Sequence, residues 1–290
     1  EWIVTAVFVR ALEERGLTEE RLGPREVDPG NAATASEQLD AAIEAVARTS
    51  AGAAVLGQRW SPPCGISLSA SGAAALVGLF RARDGKDRPL VRLADEGDRV
   101  WALLYQELSP SSTETSTLIA TPDFIGDLTL DLSLSAAMSE WGHGGVRVLD
   151  PACGIGDFLT KAFSRFCGAG LSPLAALERV HGVDLSPVAT RIARARLVLS
   201  FAERARASRL EDLPPLPLSV AIGDALLGGR SDRASGGADQ GSSEAESILA
   251  RRYEVVVGEP PFARARDEVS RRRYRELYSS ASGSIELGAL

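Results

Sequence analysis

The sequence predicts an α/β fold, a parallel sheet with a ligand site along its carboxyl edge, preceded by a small helical region. Three observations lead there. The first is the stretch Val146-Arg147-Val148-Leu149, a branched apolar run stopped by Asp150-Pro151. Small residues follow at Cys153-Gly154-Ile155-Gly156, then Phe158, Leu159, Ala162, Phe163 and Phe166 at helical spacing. Strand, glycine turn and helix in that order open a βα unit whose ligand lies beyond the strand's end. Second, two later apolar runs also end in acids, Val180 to Asp184 and Leu218 to Asp224. Third, the residues before 108 carry apolar side chains at helical intervals.

The chain begins with a helix over 2–15, with Ile3, Val4, Val7, Phe8, Ala11 and Leu12 on one face and Gly16 as its stop. Thr18 to Asn31 reads as a loop, and Thr34 or Ser36 caps the next helix through Leu39, Ile43 and Val46. Trp60 to Gly65 is a break, and its Ser61-Pro62-Pro63-Cys64 is read as a turn. Helices are expected over 67–82 and 88–107, completing a helical domain over 1–110 with no chemistry of its own. The second domain spans 111–290 and begins with a Ser/Thr-rich linker. Thr121 is a good N-cap and Pro122 a good first helical residue. Ile125, Leu128, Leu132 and Met138 mark that helix as amphipathic. Helices over 157–170 and 188–207 flank the strand at Val180–Asp184. Leu218–Ile222 forms the third strand, and residues 228–250, rich in Gly, Ser, Ala and Asp, read as a flexible insertion. Tyr253–Val257 is the fourth strand and runs into Gly258-Glu259-Pro260-Pro261-Phe262.

The glycine turn narrows the ligand. A dinucleotide turn wants a third glycine where this chain has Leu159, and a phosphate loop's Gly-Lys-Ser/Thr ending is absent. An acid at the strand end favours a cationic ligand over a pyrophosphate. Asp184 sits one βα unit further on, where an ionised carboxylate accepts hydrogen bonds from both ribose hydroxyls. The alternative there is an Asp that merely caps the next helix.

Composition bounds the rest. A hydrophobic share of 44% and a charged share of 24% suit a globular chain, and no apolar run is long enough to span a bilayer. Cys64, Cys153 and Cys167 have neither metal-ligand nor disulfide spacing, which fits a reducing cytoplasm, and with His143 and His181 alone a zinc site is not expected. The first residue is Glu1, which points to a fragment. A net charge of −7 argues against indiscriminate nucleic-acid binding. Two arginine clusters stand out locally: Arg191, Arg194, Arg196, Arg204, Arg206 and Arg209, read as a solvated helix face, and Arg264, Arg266, Arg271, Arg272, Arg273 and Arg275, for which a solvated face and a phosphate-backbone contact are both open.

Asp-Pro-Ala-Cys-Gly-Ile-Gly-Asp-Phe-Leu, from Asp150 to Leu159, closely resembles the first motif of the S-adenosylmethionine-dependent adenine-amino DNA methyltransferases. It looks most like the group that includes type I modification subunits and phage-exclusion methyltransferases. Thr121-Pro122 with Ile125 and Leu128, Val183-Asp184-Leu185, Gly223-Asp224-Ala225 and Glu259-Pro260-Pro261-Phe262 resemble the family's other motifs in order. The resemblance implies a Rossmann-like methyltransferase sheet, truncated at its C-terminus here, with S-adenosyl-L-methionine as cofactor. It implies double-stranded DNA as substrate, specificity or restriction subunits as partners, and a restriction-modification or phage-defence role. On this resemblance Thr121 and Pro122 meet the methionine end, and Asp150, Pro151, Ala152, Cys153, Gly154, Gly156, Asp157 and Phe158 cradle the cofactor. Asp184 and Leu185 take its ribose, while Asp224 and Ala225 take its adenine.

In the family the residue before the two prolines and a proline carbonyl accept the target amine's hydrogens, and the aromatic stacks on a flipped base. That assigns the catalytic loop to Glu259, Pro260, Pro261 and Phe262. Glu259 departs from the family's Asn, Asp or Ser. It is longer and charged, and burial against a base would favour its protonated form. Three readings follow: a working variant, an impaired enzyme, or an inactive methyltransferase-fold binding subunit. Methylation of RNA or of a protein amide is a further alternative, because similar loops serve those substrates.

Overall fold

The computed structural model describes residues 1–23, 34–57, 67–93, 97, 99–108, 122–228, 240–260 and 268–278. The chain divides into two compact units, Glu1–Leu104 with Val198–Leu216, and Tyr105–Leu197 with Pro217–Leu290.

The first unit is helical. Helix α1 (Trp2–Glu14) ends as expected, with Gly16 in the left-handed region at φ +69. Helix α2 (Ala35–Ala47) starts at Thr34 in a reciprocal capping box with Glu37. Helices α3 (Ser50–Leu56) and α4 (Ala70–Arg81) follow. Phe8 and Leu12 of α1, Leu39 and Ile43 of α2, and Phe80 of α4 are fully buried and form the core. The helix expected over 88–107 is shorter, α5 (Arg99–Leu108). Where that expected helix begins, the chain instead forms a turn closed by a bridge between Arg83 and Pro89. The Asp84 carboxylate holds that turn by accepting from the backbone N–H groups of Lys86 and Arg88, so local side-chain bonding wins over helix propensity.

One buried carboxylate organises the loop after α1. Glu13 accepts from the backbone N–H groups of Arg21 and Leu22, each at 2.9 Å, and of Gly23 at 3.2 Å. Its side chain is fully buried and pairs with Arg10 at 3.2 Å, which also reaches Glu14 and Glu20. Burial raises the Glu13 pKa, and the backbone donors and Arg10 pull it back.

The second unit holds the sheet. Four parallel strands lie in the order β3-β2-β1-β4. They are β1 (Val148–Asp150), β2 (Val180–Asp184), β3 (Ser219–Ile222) and β4 (Val255–Val256). Ahead of β1 run α6 (Asp123–Leu130), one π-helical turn (Asp131–Ser135) and α7 (Ala136–Trp141). Pro122 occupies the N-cap of α6 and not its first turn. The expected inward face of α6 is turned out: Ile125, Leu128 and Leu132 are exposed, whereas Gly126, Leu130 and Leu134 are buried. Helix α8 (Asp157–Gly168) presents Lys161 and Arg165 one turn apart, and they take Asp123, Asp127 and Asp131, also spaced by turns. That ladder lines the packed side of α6 beside the buried Leu130 and Leu134.

Helix α9 (Pro173–Leu177) leads to β2, and α10 (Pro187–Arg204) leads away from it, its residues from Val198 onward falling in the first unit. The segment read as a flexible insertion contains a helix, α11 (Gln240–Leu249). Ala245 and Ile248 of α11 pack with Leu149, Val183 and Ala221 to close one sheet face. Spacing by three hides both residues in a Gly/Ser-rich context, and burial on the sheet supplies what the composition lacks. Helix α12 (Glu268–Leu277) ends the described chain. Among the described residues no helix is long and apolar enough to cross a membrane.

Candidate ligand-binding site

Parallel pairing puts the strand ends on one edge. Asp150 closes β1 in register with Gly182, and Asp184 closes β2 in register with Ile222. Asp224 lies two residues past β3. The three acids found in the sequence therefore share the carboxyl edge of adjacent strands, where ligands of open α/β sheets bind.

Asp150 is 2% exposed and, among the described residues, accepts only the Ala152 N–H, at 3.1 Å. Burial pushes its pKa up to about 8, helped by the nearby charges of Asp184 and Asp157 and opposed by that N–H. Asp184 is half-buried, and burial raises its pKa while two backbone donors lower it. Those donors are Ser186, on one carboxylate oxygen, and Gly154, on the other, each at 2.8 Å. Each oxygen keeps a lone pair for another donor. Ser186, not Asp184, caps the next helix, accepting from the Ala189 N–H.

The glycine turn is held by its own backbone. The Cys153 N–H donates to the Val183 carbonyl at 3.0 Å, and Gly156 to the Cys153 carbonyl at 2.8 Å. The two glycines differ in what requires them. A Cβ on Gly154, at φ +51, would meet nothing within 4 Å among the described residues, so the left-handed backbone alone calls for glycine there. Gly156, at φ +86, has Ala193 of α10 2.9 Å from where a Cβ would sit. Gly156→Ala is therefore expected to cost about 2–4 kcal/mol, combining left-handed strain with overpacking. A urea midpoint equal to the parent's would contradict this.

Three supporting features escaped sequence reading, the first an inward-turned pair of arginines. Arg196, assigned with its neighbours to a solvated face, is 2% exposed. Its guanidinium donates to the Ile155 carbonyl at 2.8 Å and pairs with Asp157 at 2.6 Å, bracing the glycine turn from beneath. Arg194 likewise turns inward, donating to the Val220 carbonyl and pairing with Glu244 of α11. Arg204, Arg206 and Arg209 do lie on the surface. The second is Gly182 in mid-strand. A Cβ there would fall 2.6 Å from Leu159 and 3.0 Å from Cys153, so only glycine lets α8 and the turn close on β2. A glycine inside a strand was the available signal. The third is Tyr274 of α12, whose hydroxyl donates to Asp224 at 2.8 Å.

Asp224 is buried, and its other oxygen accepts the N–H groups of Leu226 and Leu227, capping the short turn Ala225–Leu227. Cys153 is buried, and burial together with Asp184 and Asp150 drives its thiol pKa well up, which leaves it unreactive. Phe158 is also buried, Pro151, Ala152, Asp157 and Ala225 are half-buried, and Leu185 is exposed.

The segment after β4 comes to the same place. A Cβ on Gly258 would lie 2.9 Å from the Asp150 carboxylate. Glu259 and Pro260 are exposed. Thr121, Pro261 and Phe262 fall outside the described residues. Behind β4, Tyr253 meets the buried His181, ring nitrogen to hydroxyl at 2.7 Å, and burial lowers the His181 pKa to about 4. A neutral imidazole in that setting is a packing element, not a base.

Three acids and a glycine turn thus share the carboxyl edge of one parallel α/β sheet. No protein-family model matches the chain. The chain is similar to the adenine-specific methyltransferase PglX of Streptomyces coelicolor, 29% identical over 343 aligned residues, covering 99% of this chain and 28% of that protein. It therefore spans little more than a quarter of that relative's length. The solved structure of a DrdV–DNA complex shares the fold, with a TM-score of 0.54 at 16% identity over 98% of this chain and 27% of that one.

Proposed function

We propose that the chain is part of an adenine-specific DNA methyltransferase of the restriction-modification or phage-defence type, using S-adenosyl-L-methionine on double-stranded DNA. In this reading residues 1–110 form a helical domain and 111–290 the cofactor-binding domain. The observation that carries the reading is the alignment of Asp150, Asp184 and Asp224 on one edge of the sheet around Gly154. Similarity to PglX over nearly the whole chain supports it.

The donor set fits the cofactor. Asp184 offers one acceptor per oxygen for the two ribose hydroxyls. Asp224 keeps one lone pair, on the oxygen shared with Tyr274, for an adenine amine. Asp150 is a buried anion-forming group suited to a cation. Thr121, Pro122, Pro151, Ala152, Cys153, Gly156, Asp157, Phe158, Leu185 and Ala225 complete the walls. When bound, the cofactor supplies an electrophilic methyl group on a sulfonium. The chain's own task is to aim the target amine. Glu259 and a proline carbonyl of Pro260-Pro261 accept its two hydrogens, and Phe262 stacks on the extruded base.

Isothermal titration of the 290-residue chain with S-adenosylmethionine is expected to show one site. An absence of heat and of any thermal-shift response would refute the reading. Glu259 favours a second reading, a methyltransferase-fold subunit with weak or no transfer. Because amine placement tolerates little displacement, Glu259→Asn is expected to raise N6-methyladenine in cellular DNA about a hundredfold when carried in the full-length protein. Equal methylation by both forms would remove that second reading.

A further inference from the structure

Tyr274 belongs to α12, ten residues that include Arg271, Arg272, Arg273 and Arg275. Arginines dominate its sequence, yet one side of it is aromatic and turned inward. Tyr274 is 4% exposed and its hydroxyl meets Asp224. One helical turn later, the Tyr278 hydroxyl donates to the Leu226 carbonyl at 2.7 Å. Both tyrosines therefore grip the same short turn, Ala225–Leu227, that Asp224 caps.

The hydrogen-bond count around Asp224 gives Tyr274 a role beyond packing. One carboxylate oxygen is filled by the Leu226 and Leu227 N–H groups, at 2.9 and 3.2 Å. The other receives Tyr274 and has one acceptor position left. With three donors fixed, the carboxylate plane and the direction of its last lone pair are fixed too. We propose that Tyr274 is a positioning residue for nucleoside recognition, orienting Asp224 to accept the exocyclic amine of a bound adenine. This rests on the cofactor reading above. It also ties the seating of the arginine-bearing helix to occupancy of the nucleoside site, because the same carboxylate serves both.

The test uses two ligands that differ at the purine 6-position, S-adenosylhomocysteine with its amine and S-inosylhomocysteine with a carbonyl and a protonated N1; the N1 change is common to every variant and cancels when variants are compared. Titrations compare the unaltered chain, Tyr274→Phe and Tyr278→Phe. The unaltered chain is expected to prefer the adenosyl ligand. Tyr274→Phe is expected to weaken the adenosyl ligand about tenfold, the scale of one hydrogen bond to a charged group, and to change the inosyl ligand less than about twofold. Tyr278→Phe removes an anchor of the helix but not of Asp224, so it is expected to keep the parent's selectivity. Equal weakening of both ligands by Tyr274→Phe would make the residue merely structural and overturn the proposal. Tighter adenosyl binding would show that the hydroxyl competes for Asp224, which overturns it as well. If the unaltered chain binds neither ligand, the nucleoside reading itself fails, and the proposal with it.

Discussion

Asp150→Asn is expected to make the protein more stable at pH 9 while weakening its hold on a cationic ligand. Asp150 ionises at about 8 in the folded protein because burial penalises its charge, against an ordinary value of 3.8. Between those values the folded chain keeps a proton that the unfolded chain has released. Stability therefore falls as pH rises from about 4 and levels off above 8, a loss on the order of 5 kcal/mol from this one group. Asn is neutral throughout, and its amide oxygen can still accept the Ala152 N–H. The two proteins should thus match near pH 4, and the variant should lead by several kcal/mol at pH 9, read from urea denaturation. A gap that does not widen with pH would show that Asp150 is not the titrating group. The same proton must leave when a cation binds, so affinity for S-adenosylmethionine should rise with pH up to about 8, by as much as tenfold per unit. Calorimetry in buffers of different ionisation enthalpy would detect the proton released.

Glu13→Ala is expected to produce the largest loss of stability in the helical unit, about 3–5 kcal/mol. Truncation strands the backbone N–H groups of Arg21, Leu22 and Gly23 and leaves Arg10 without its most buried partner. Glu13→Gln separates the contributions, since an amide oxygen still accepts from the backbone but carries no charge for Arg10. It should recover part of the loss. If Glu13→Ala shifts the unfolding midpoint no more than a surface substitution such as Glu44→Ala, the buried cluster is not what holds the loop.

The candidate site is more legible in the sequence than the scaffold beneath it. Asp150, Gly154, Gly156, Asp184 and Asp224 stand in a strand-turn-helix pattern where side-chain chemistry and local backbone demand coincide, so a linear reading finds them. Arg196 gives no such signal. An arginine near Arg194 and Arg191 looks like a wet helix face, and only the tertiary approach of Ile155 and Asp157 turns it inward. The orientation of α6 was hidden for a related reason. Apolar periodicity pointed to Ile125, Leu128 and Leu132, but the side that packs carries Gly126, Leu130 and Leu134, with Lys161 and Arg165 of a later helix pairing Asp123, Asp127 and Asp131 along it. Helix α11 was missed because Ala245 and Ile248 are too few to register in a polar segment until the sheet supplies their partners. Interactions set by distant segments are what a single chain read in order does not reveal.

The nearness of Gly258 to Asp150 has a consequence for how this molecule works as a machine. These residues, more than a hundred positions apart, lie so close that a Cβ at 258 would meet the Asp150 carboxylate. A bulkier residue at 258 would wedge the two loops apart. Gaining or losing a charge at Asp150 therefore changes the field at the Gly258 backbone, the point from which the Glu259 loop departs.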